Sequence, residues 1–571
     1  MNIDLKHYSI IDRIFHLIER DKPSDRLVMR ILFFLIVVTG IYFILALNQH
    51  HSILQPTKGG GLVEGMIGTP HFINPALAIS RADQDTVALI YAGLLKIDEN
   101  GDLKPDLAES ITVEDEGATY HIKIKQGLTF HDDTSLTASD VTFTINLIKD
   151  PLLKSPLRGV WNDVTVEEVN SFELKVKLKE AYSPFIENFT LGIMPKHIWE
   201  NLPIEQLPFS LHNVKPIGSG LFQIDTVNND KSGLINGYIL KPAKNVKSNL
   251  TKVELKYYTD EDQLLAAFNK KEVNSTAFLS PAKIATLNPN TTEVISRTQP
   301  RVFAVFFNQN RSAALRDLAA RQALNTIVDR PDIINRVLNG FGIPITTPIL
   351  ENESTLELAE TEETNRLEEA RQILLAGGWK QTEQGTWTKE ISGQTETLSL
   401  TIKTSNTELF DQTVHILANS WRELGVEVQV EEYEQSNLVQ SVIRTRDFQA
   451  LLFGLDLNRI QDLYPFWHSS QKDDPGLNIS QYTNVSVDKL LEDTRKTEWG
   501  EARQQQLTDI SQLITAETPA IFLFAPKINY VINDNLKIAP VKYFNKPSDR
   551  FMNITTWYAK SETVWTVFKR D

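Results

Sequence analysis

The chain contains no cysteine. Disulfides, cysteine-ligated zinc, iron–sulfur clusters and a thiol nucleophile are therefore excluded, as is membrane attachment through an acylated cysteine. Histidine is scarce: the 11 histidines form no His-x-x-x-His or His-Glu-x-x-His pattern, so the helical metal-binding spacings are absent. No Gly-x-Ser-x-Gly nucleophile elbow and no phosphate-binding Walker loop occur, which argues against catalysis and nucleotide hydrolysis in this chain. Positive charge is also short. A formal net charge of −15 leaves no broad basic face for nucleic acid, and a solvated acidic surface is its ordinary meaning. Short internal repeats are missing, which excludes a solenoid or propeller.

What is present is the balance of a folded globular protein, with 41% hydrophobic and 23% charged residues. A length of 571 residues predicts about two or three domains. Ile31–Leu47 carries no charge. Extended back to Leu27, with Arg30 reaching toward the headgroups, it approaches the roughly 20 residues that span a bilayer. A cleaved signal would have an apolar core of about 7–15 residues ending at small side chains. This run ends Ala46-Leu47-Asn48-Gln49-His50, so an uncleaved anchor is expected. Lys6, Arg13, Arg20, Lys22, Arg26 and Arg30 precede it and only Lys58 follows closely. The positive-inside rule then places the short amino-terminal segment in the cytoplasm and everything after about Gln49 outside. His50 to Gly61, with Pro56 and Gly59-Gly60-Gly61, reads as a flexible tether.

Beyond it, strand and helix patterns alternate. Tyr120–Lys125 and Phe172–Leu178 have the period of a half-buried strand. Thr137 to Asp140 fits a capping box, after which Val141, Ile145 and Ile148 share one helical face. Asp411–Leu424 reads as a helix stopped by Gly425, followed by a strand over Val426–Val430. Leu367–Leu375 is a further helix, ended by Gly377-Gly378. The whole is an α/β chain with mixed sheets.

Several of these pieces recur together in a known family. Leu107-Ala108-Glu109-Ser110, the strand Tyr120–Lys125, Gly127, Phe130-His131-Asp132-Asp133 and Leu136-Thr137-Ala138-Ser139-Asp140-Val141 resemble the signature of family 5 extracellular solute-binding proteins. These are the oligopeptide-, dipeptide- and nickel-binding receptors of ABC importers. Pro216-Ile217-Gly218-Ser219-Gly220-Leu221-Phe222 resembles the family's hinge-adjacent segment. Asn308, Arg316-Asp317 through Asp329-Arg330, Gly340, Pro344, Tyr482, Asp488–Leu491 and Glu517–Ile521 continue the match. There are departures. Asp133 replaces a turn glycine, and Asp tolerates positive φ less well than Gly but better than most residues. Leu221 replaces a hinge proline. After Phe453 a Gly-Trp is lost, and Gly454–Pro465 introduces Arg459.

The resemblance implies an α/β, bilobal fold like that of the periplasmic binding proteins (type II, three-domain peptide-binding subclass), behind an N-terminal transmembrane helix. Expected boundaries are 1–26 cytoplasmic, 27–47 anchor and 48–61 linker. Residues 62–85, 212–300 and 530–571 would form one lobe, 86–211 an added domain, and 301–529 the second lobe. Lobe closure over a ligand would present one arrangement to a permease, with ATP hydrolysis on a separate subunit. The expected partners are thus a peptide, the permease and the membrane, with a monomeric ectodomain. No cofactor or metal is expected, and the His131-Asp132-Asp133 cluster reads as a structural turn. A ligand amine in a dry cleft calls for a carboxylate. Asp462 and Asp456 are both candidates, with a solvated loop acid the alternative for each. Arg459 would neutralise one of them, bind a ligand carboxylate, or lie at the surface. Phe72, Asn74, Ser219, Phe306, Asn308, Tyr464 and Trp467 are further lining candidates. Rival readings are a nickel chelate or oligosaccharide as cargo, a ligand-sensing ectodomain without transport, and an extracellular hydrolase.

Overall fold

In a computed structural model, which describes residues 23–350, 365–539, 541–542 and 544–566, the helix Ala138–Lys149 begins where the capping box sets it. One Asp140 oxygen accepts the Thr137 N–H at 2.9 Å and its hydroxyl at 3.1 Å. The other accepts the Lys196 N–H at 2.9 Å. The two period-two runs become the neighbouring antiparallel strands Thr119–Ile124 and Glu173–Leu178, with Tyr120 opposite Val176. Ala108–Glu114 and Val164–Asn170 flank them in a four-stranded sheet. Its core is aromatic: Tyr120, Trp161, Phe185 and Phe189 have ring centroids 5.1 to 6.2 Å apart. Rings at these separations and tilts add to what their buried area contributes.

Among the described residues, twelve strands join in one larger sheet whose order runs through the long strand Ala520–Asn533. The first half of that strand pairs with Arg301–Phe307 and Gly342–Pro344. Its second half pairs with Thr292–Thr298 and Ser275–Thr276. The sheet is therefore two sheets sharing one strand. The chain crosses between them at Gln299-Pro300 and at Pro526, where the Gln299 N–H donates to the Pro526 carbonyl at 2.9 Å. The residues on either side form the two lobes, and a proline at each crossing removes a ladder donor where pairing changes partner.

The first lobe holds Gly61–Ile67, Lys252–Tyr258, Ile235–Pro242 and Phe222–Asn229 in sequence across its sheet, together with the four-stranded domain. At its centre lies a buried ion network. Arg550, wholly buried, donates to Glu64 at 2.9 and 3.1 Å and to Asp85 at 2.8 Å. Tyr530 and Ser275 hydroxyls take the other Glu64 oxygen. Burial pushes the Tyr530 phenol well up and the neighbouring Arg81 guanidinium down to about 10.

In the second lobe, the helix Glu408–Leu424 ends at Gly425 as its sequence requires. Gly425 has φ +96°, and a Cβ there would lie 2.2 Å from the Gly385 carbonyl oxygen, so only glycine fits. The parallel strands Ser399–Ser405 and Glu427–Tyr433 follow the helix–strand alternation. One face of this lobe's sheet buries Trp379, Trp387 and Trp421. The other buries Phe306, Trp467 and Phe522.

The ends of the chain form a separate unit, residues 1–59 with 558–571. Its helix Pro23–His51 includes Leu27–Ala46, a stretch long and apolar enough to cross a membrane. The expected cytoplasmic segment up to residue 22 lies outside the described residues. Two expectations change here. Ser52–Pro56 is a strand, not free tether, and pairs antiparallel with Ser561–Trp565. Residues 558–566 consequently leave the first lobe to which they were assigned. Local sequence could not show this, because the partner strand lies some 500 residues away and a ladder is specified by pairing.

Candidate functional site

Two loops carry most of the candidate residues. The first, residues 68–80, is fixed by Asp83, whose carboxylate accepts the His71 and Phe72 N–H groups, both at 2.8 Å, and the Ser80 N–H at 3.1 Å. Asp83 thus closes a capping box and the loop together. Nearby, Gly218 and Gly220 press against the end of the helix Arg81–Ile90. A Cβ on Gly218 would stand 2.1 Å from the Ile90 carbonyl oxygen, and the Gly220 N–H donates to that oxygen at 2.8 Å. This close approach explains the Gly-Ser-Gly spacing. His131 completes the joint: its Nδ1 accepts the Gly218 N–H at 3.3 Å and its Nε2 donates to the Gly220 carbonyl at 3.1 Å. Burial holds its pKa below the ordinary imidazole value, as a neutral ring accepting one bond requires. Asp133 takes φ +66° in the neighbouring turn, the left-handed conformation for which glycine is best suited.

The second loop follows the strand Ala450–Asp456. Asp456 lies at the strand end beside its cross-strand partner Arg301, whose Nε is 3.0 Å from the carboxylate, and the pair is solvent-exposed. Phe453 stacks on Phe410, which packs against Phe303, giving this end of the second lobe an aromatic surface. Asp462 is 7% exposed. It accepts the Tyr182 hydroxyl at 2.9 Å and the Arg495 guanidinium at 3.0 Å. Arg495 lies between two rings, 4.6 Å from the centroid of Tyr182 and 4.1 Å from that of Tyr464. Arg459, also buried, pairs with Glu187 and donates to the Gly101 carbonyl at 2.7 Å. Burial pushes the Glu187 carboxyl up, against the pull of Arg459. Arg503 braces the loop from behind through the Ile460 carbonyl at 3.3 Å.

The structure thus brings Asp462, Arg459 and Tyr464 into one cluster and holds Asp456 apart. The two acids expected to compete for a ligand amine both have cationic protein partners. Among the lining candidates, Phe72 is half-buried on the first loop and the Ser219 hydroxyl is buried without a protein partner. Phe306 and Trp467 are core residues, each 1% exposed and packed on one another. Asn74 and Asn308 brace turns: Asn74 bonds Asn213 at 3.1 Å, and Asn308 bonds the Arg446 carbonyl at 3.0 Å. Tyr182, Glu187, Arg301 and Arg495 were missed, for no local motif marks a residue whose partner lies 33 to 280 positions away. A further cluster on the second lobe, Asp411, His415 and Glu432, has its donor atoms within 4.8 Å of one another. Burial and Asp411 together raise the Glu432 carboxyl. An open groove of about 490 Å3 beside Asn228, Asn236 and Lys256 belongs to the outer strands of the first lobe. The strands Ser275–Thr276 and Gly61–Ile67 separate it from the crossing strand.

Two lobes joined by paired strand crossings, with Arg459 and Asp462 of the second bonded to Glu187 and Tyr182 of the first, define a two-lobed solute receptor. The chain belongs to the bacterial extracellular solute-binding proteins, family 5, whose family model (the middle region) matches residues 102–476. The oligopeptide-binding protein AppA of Bacillus subtilis is 29% identical over 523 residues, covering 88% of this chain and 92% of AppA. Protein XP55 of Streptomyces lividans is 26% identical over 481 residues, covering 83% and 85%. The solved structure of B. subtilis AppA in complex with a nonapeptide superposes with a TM-score of 0.63 at 28% identity, over 88% of this chain and 99% of that one. NikZ of Campylobacter jejuni in complex with Ni(L-His), 23% identical, shares the fold with a TM-score of 0.64 over 87% and 99%.

Proposed function

We propose that this chain is the membrane-anchored receptor of an ABC importer and captures peptides between its two lobes. The observation that carries the reading is the shared strand Ala520–Asn533 with its crossings at Gln299-Pro300 and Pro526. Two short connections leave the lobes free to rotate about one line, and such hinges couple ligand burial to a single closed arrangement. A peptide as cargo is supported by the likeness to AppA, whose solved complex holds a nonapeptide. The half-buried aromatic pair Phe410 and Phe453 suits a ligand read partly through apolar side-chain surface. Anchoring is supported by the fully exposed apolar stretch Leu27–Ala46. The helix continues to His51 and into the paired strand Ser52–Pro56, which leaves no extended segment of small residues for signal cleavage. The family is one of receptors, and substrate turnover is not expected.

Native mass spectrometry of the full chain released from detergent tests the cargo. A mixed population of peptides at unit stoichiometry is expected. A single sugar or metal chelate would replace the peptide reading. Peptide uptake into vesicles that contain the permease, with and without this chain, separates transport from sensing.

A further inference from the structure

Asp462 was a candidate for a ligand amine or a solvated loop acid, and Arg459 for a ligand carboxylate, a neighbouring acid or the surface; the structure sets both between the lobes and leaves Asp456 outside. Arg459 and Asp462 belong to the second lobe; Glu187, Gly101 and Tyr182 belong to the first. The Arg459–Glu187 pair and the Asp462–Tyr182 bond therefore both bridge the gap. Side-chain exposures of 9% for Arg459 and 8% for Asp462 show that solvent is largely excluded there. Each buried charge has a counter-charge: Glu187 for Arg459, and Arg495, held between Tyr182 and Tyr464, for Asp462. Trp499 packs over the Arg459 guanidinium at 5.3 Å from the ring centroid. The Asp462–Arg495 pair lies within the second lobe and stays made on opening, whereas the Arg459–Glu187 pair and the Tyr182 contacts break. On closing, Arg459 and Glu187 must find each other, since a buried charge without a partner is strongly disfavoured. An ammonium brought to Asp462 would have to displace Arg495 from a site where it already makes two contacts, at 3.0 and 3.3 Å.

The geometry points to an ion-pair latch, Arg459–Glu187 with Asp462–Tyr182–Arg495, that closes the lobes in place of a bond to the ligand's amino terminus. The reading rests on the peptide receptor proposed above. It makes the latch a determinant of specificity: the protein's own charges contribute to the closed arrangement that ligand burial favours, and the ligand is selected by backbone and shape. A peptide with a blocked amino terminus is then as good a ligand as a free one.

The absence of cysteine from the chain makes site-directed spin labelling clean. Labels at Glu180→Cys on the first lobe and Glu498→Cys on the second, both exposed, report lobe separation by pulsed electron resonance in the full chain in detergent, dialysed free of ligand. A short-distance population is expected in the parent, a shift to longer distances in Arg459→Ala, and recovery in the charge swap Arg459→Glu with Glu187→Arg. An unchanged distribution in Arg459→Ala, or no recovery in the swap, overturns the latch. Affinities for a random nonapeptide pool, free and N-acetylated, test specificity. Agreement within about threefold is expected, and a tenfold or greater preference for the free amine overturns this part of the inference. Failure of both pools to bind would instead count against the peptide cargo, while the spin-label distances still decide the latch.

Discussion

Replacing Arg550 with alanine isolates the electrostatics of the first lobe. Glu64 is 0% exposed, Asp85 1% and Arg550 1%, so none of the three can be rescued by solvent. The guanidinium makes three bonds of 2.8 to 3.1 Å to the two carboxylates and a fourth, at 2.7 Å, to the Pro547 carbonyl. Tyr530 and Ser275 would continue to serve Glu64, but Asp85 would lose its 2.8 Å partner and be left to the field of the neighbouring Arg81. Removing one partner of a buried pair costs about 3–5 kcal/mol. The guanidinium also lies over the rings of Phe551 and Tyr530, 4.0 and 5.5 Å from their centroids, and loss of the side chain adds a cavity cost in the same direction. Urea unfolding of the full chain in detergent, followed by tryptophan fluorescence, should therefore place Arg550→Ala at least about 3 kcal/mol below the parent. The triple variant Glu64→Gln, Asp85→Asn, Arg550→Met should regain most of the loss, because it keeps the volume and removes every charge. If the triple variant is as unstable as Arg550→Ala, packing rather than charge holds this core and the reasoning fails.

Two further outcomes are expected. His131 is held neutral by burial, with its pKa below the ordinary 6.5, so the stability it contributes is intact above that value and lost as the pH falls through it toward the lower folded pKa. The thermal midpoint should fall between pH 7 and 5 more steeply in the parent than in His131→Gln, and equal slopes would show that another group senses the proton. Asp133→Gly relieves a left-handed residue but adds unfolded-state entropy, and the lost contact to Lys244 is exposed. The net change should stay within about 1 kcal/mol, whereas Asp133→Val at φ +66° should lower the midpoint clearly. A large loss in the glycine variant would mean that the carboxylate itself holds the turn.

What the sequence made legible is what neighbours in the chain decide. The box at Thr137, the stop at Gly425 and the strand pair 119–124 and 173–178 rest on spacing, caps and alternation, and each forms within a few residues of expectation. The signature at Phe130-His131 was legible too, though its reason, a neutral imidazole bridging Gly218 and Gly220, was not. In the site, an acid in the loop after Phe453 could be singled out by position. Its fate could not, because Tyr182 lies 280 residues before Asp462 and nothing near either residue encodes their meeting. Phe306 and Trp467 show the same limit from the apolar side: aromatic residues near a cleft segment enter the core whenever the sheet turns them inward.

The ribbon of Ser52–Pro56 with Ser561–Trp565 makes the entire receptor an insertion within one hairpin. Residues 60–557 leave through one strand and return through its neighbour. A protease that nicks the connection at Thr57–Gly60 would leave the receptor joined through Tyr558, with the ladder still holding the returning strand. With the anchoring proposed above, release from the membrane then needs two cuts rather than one.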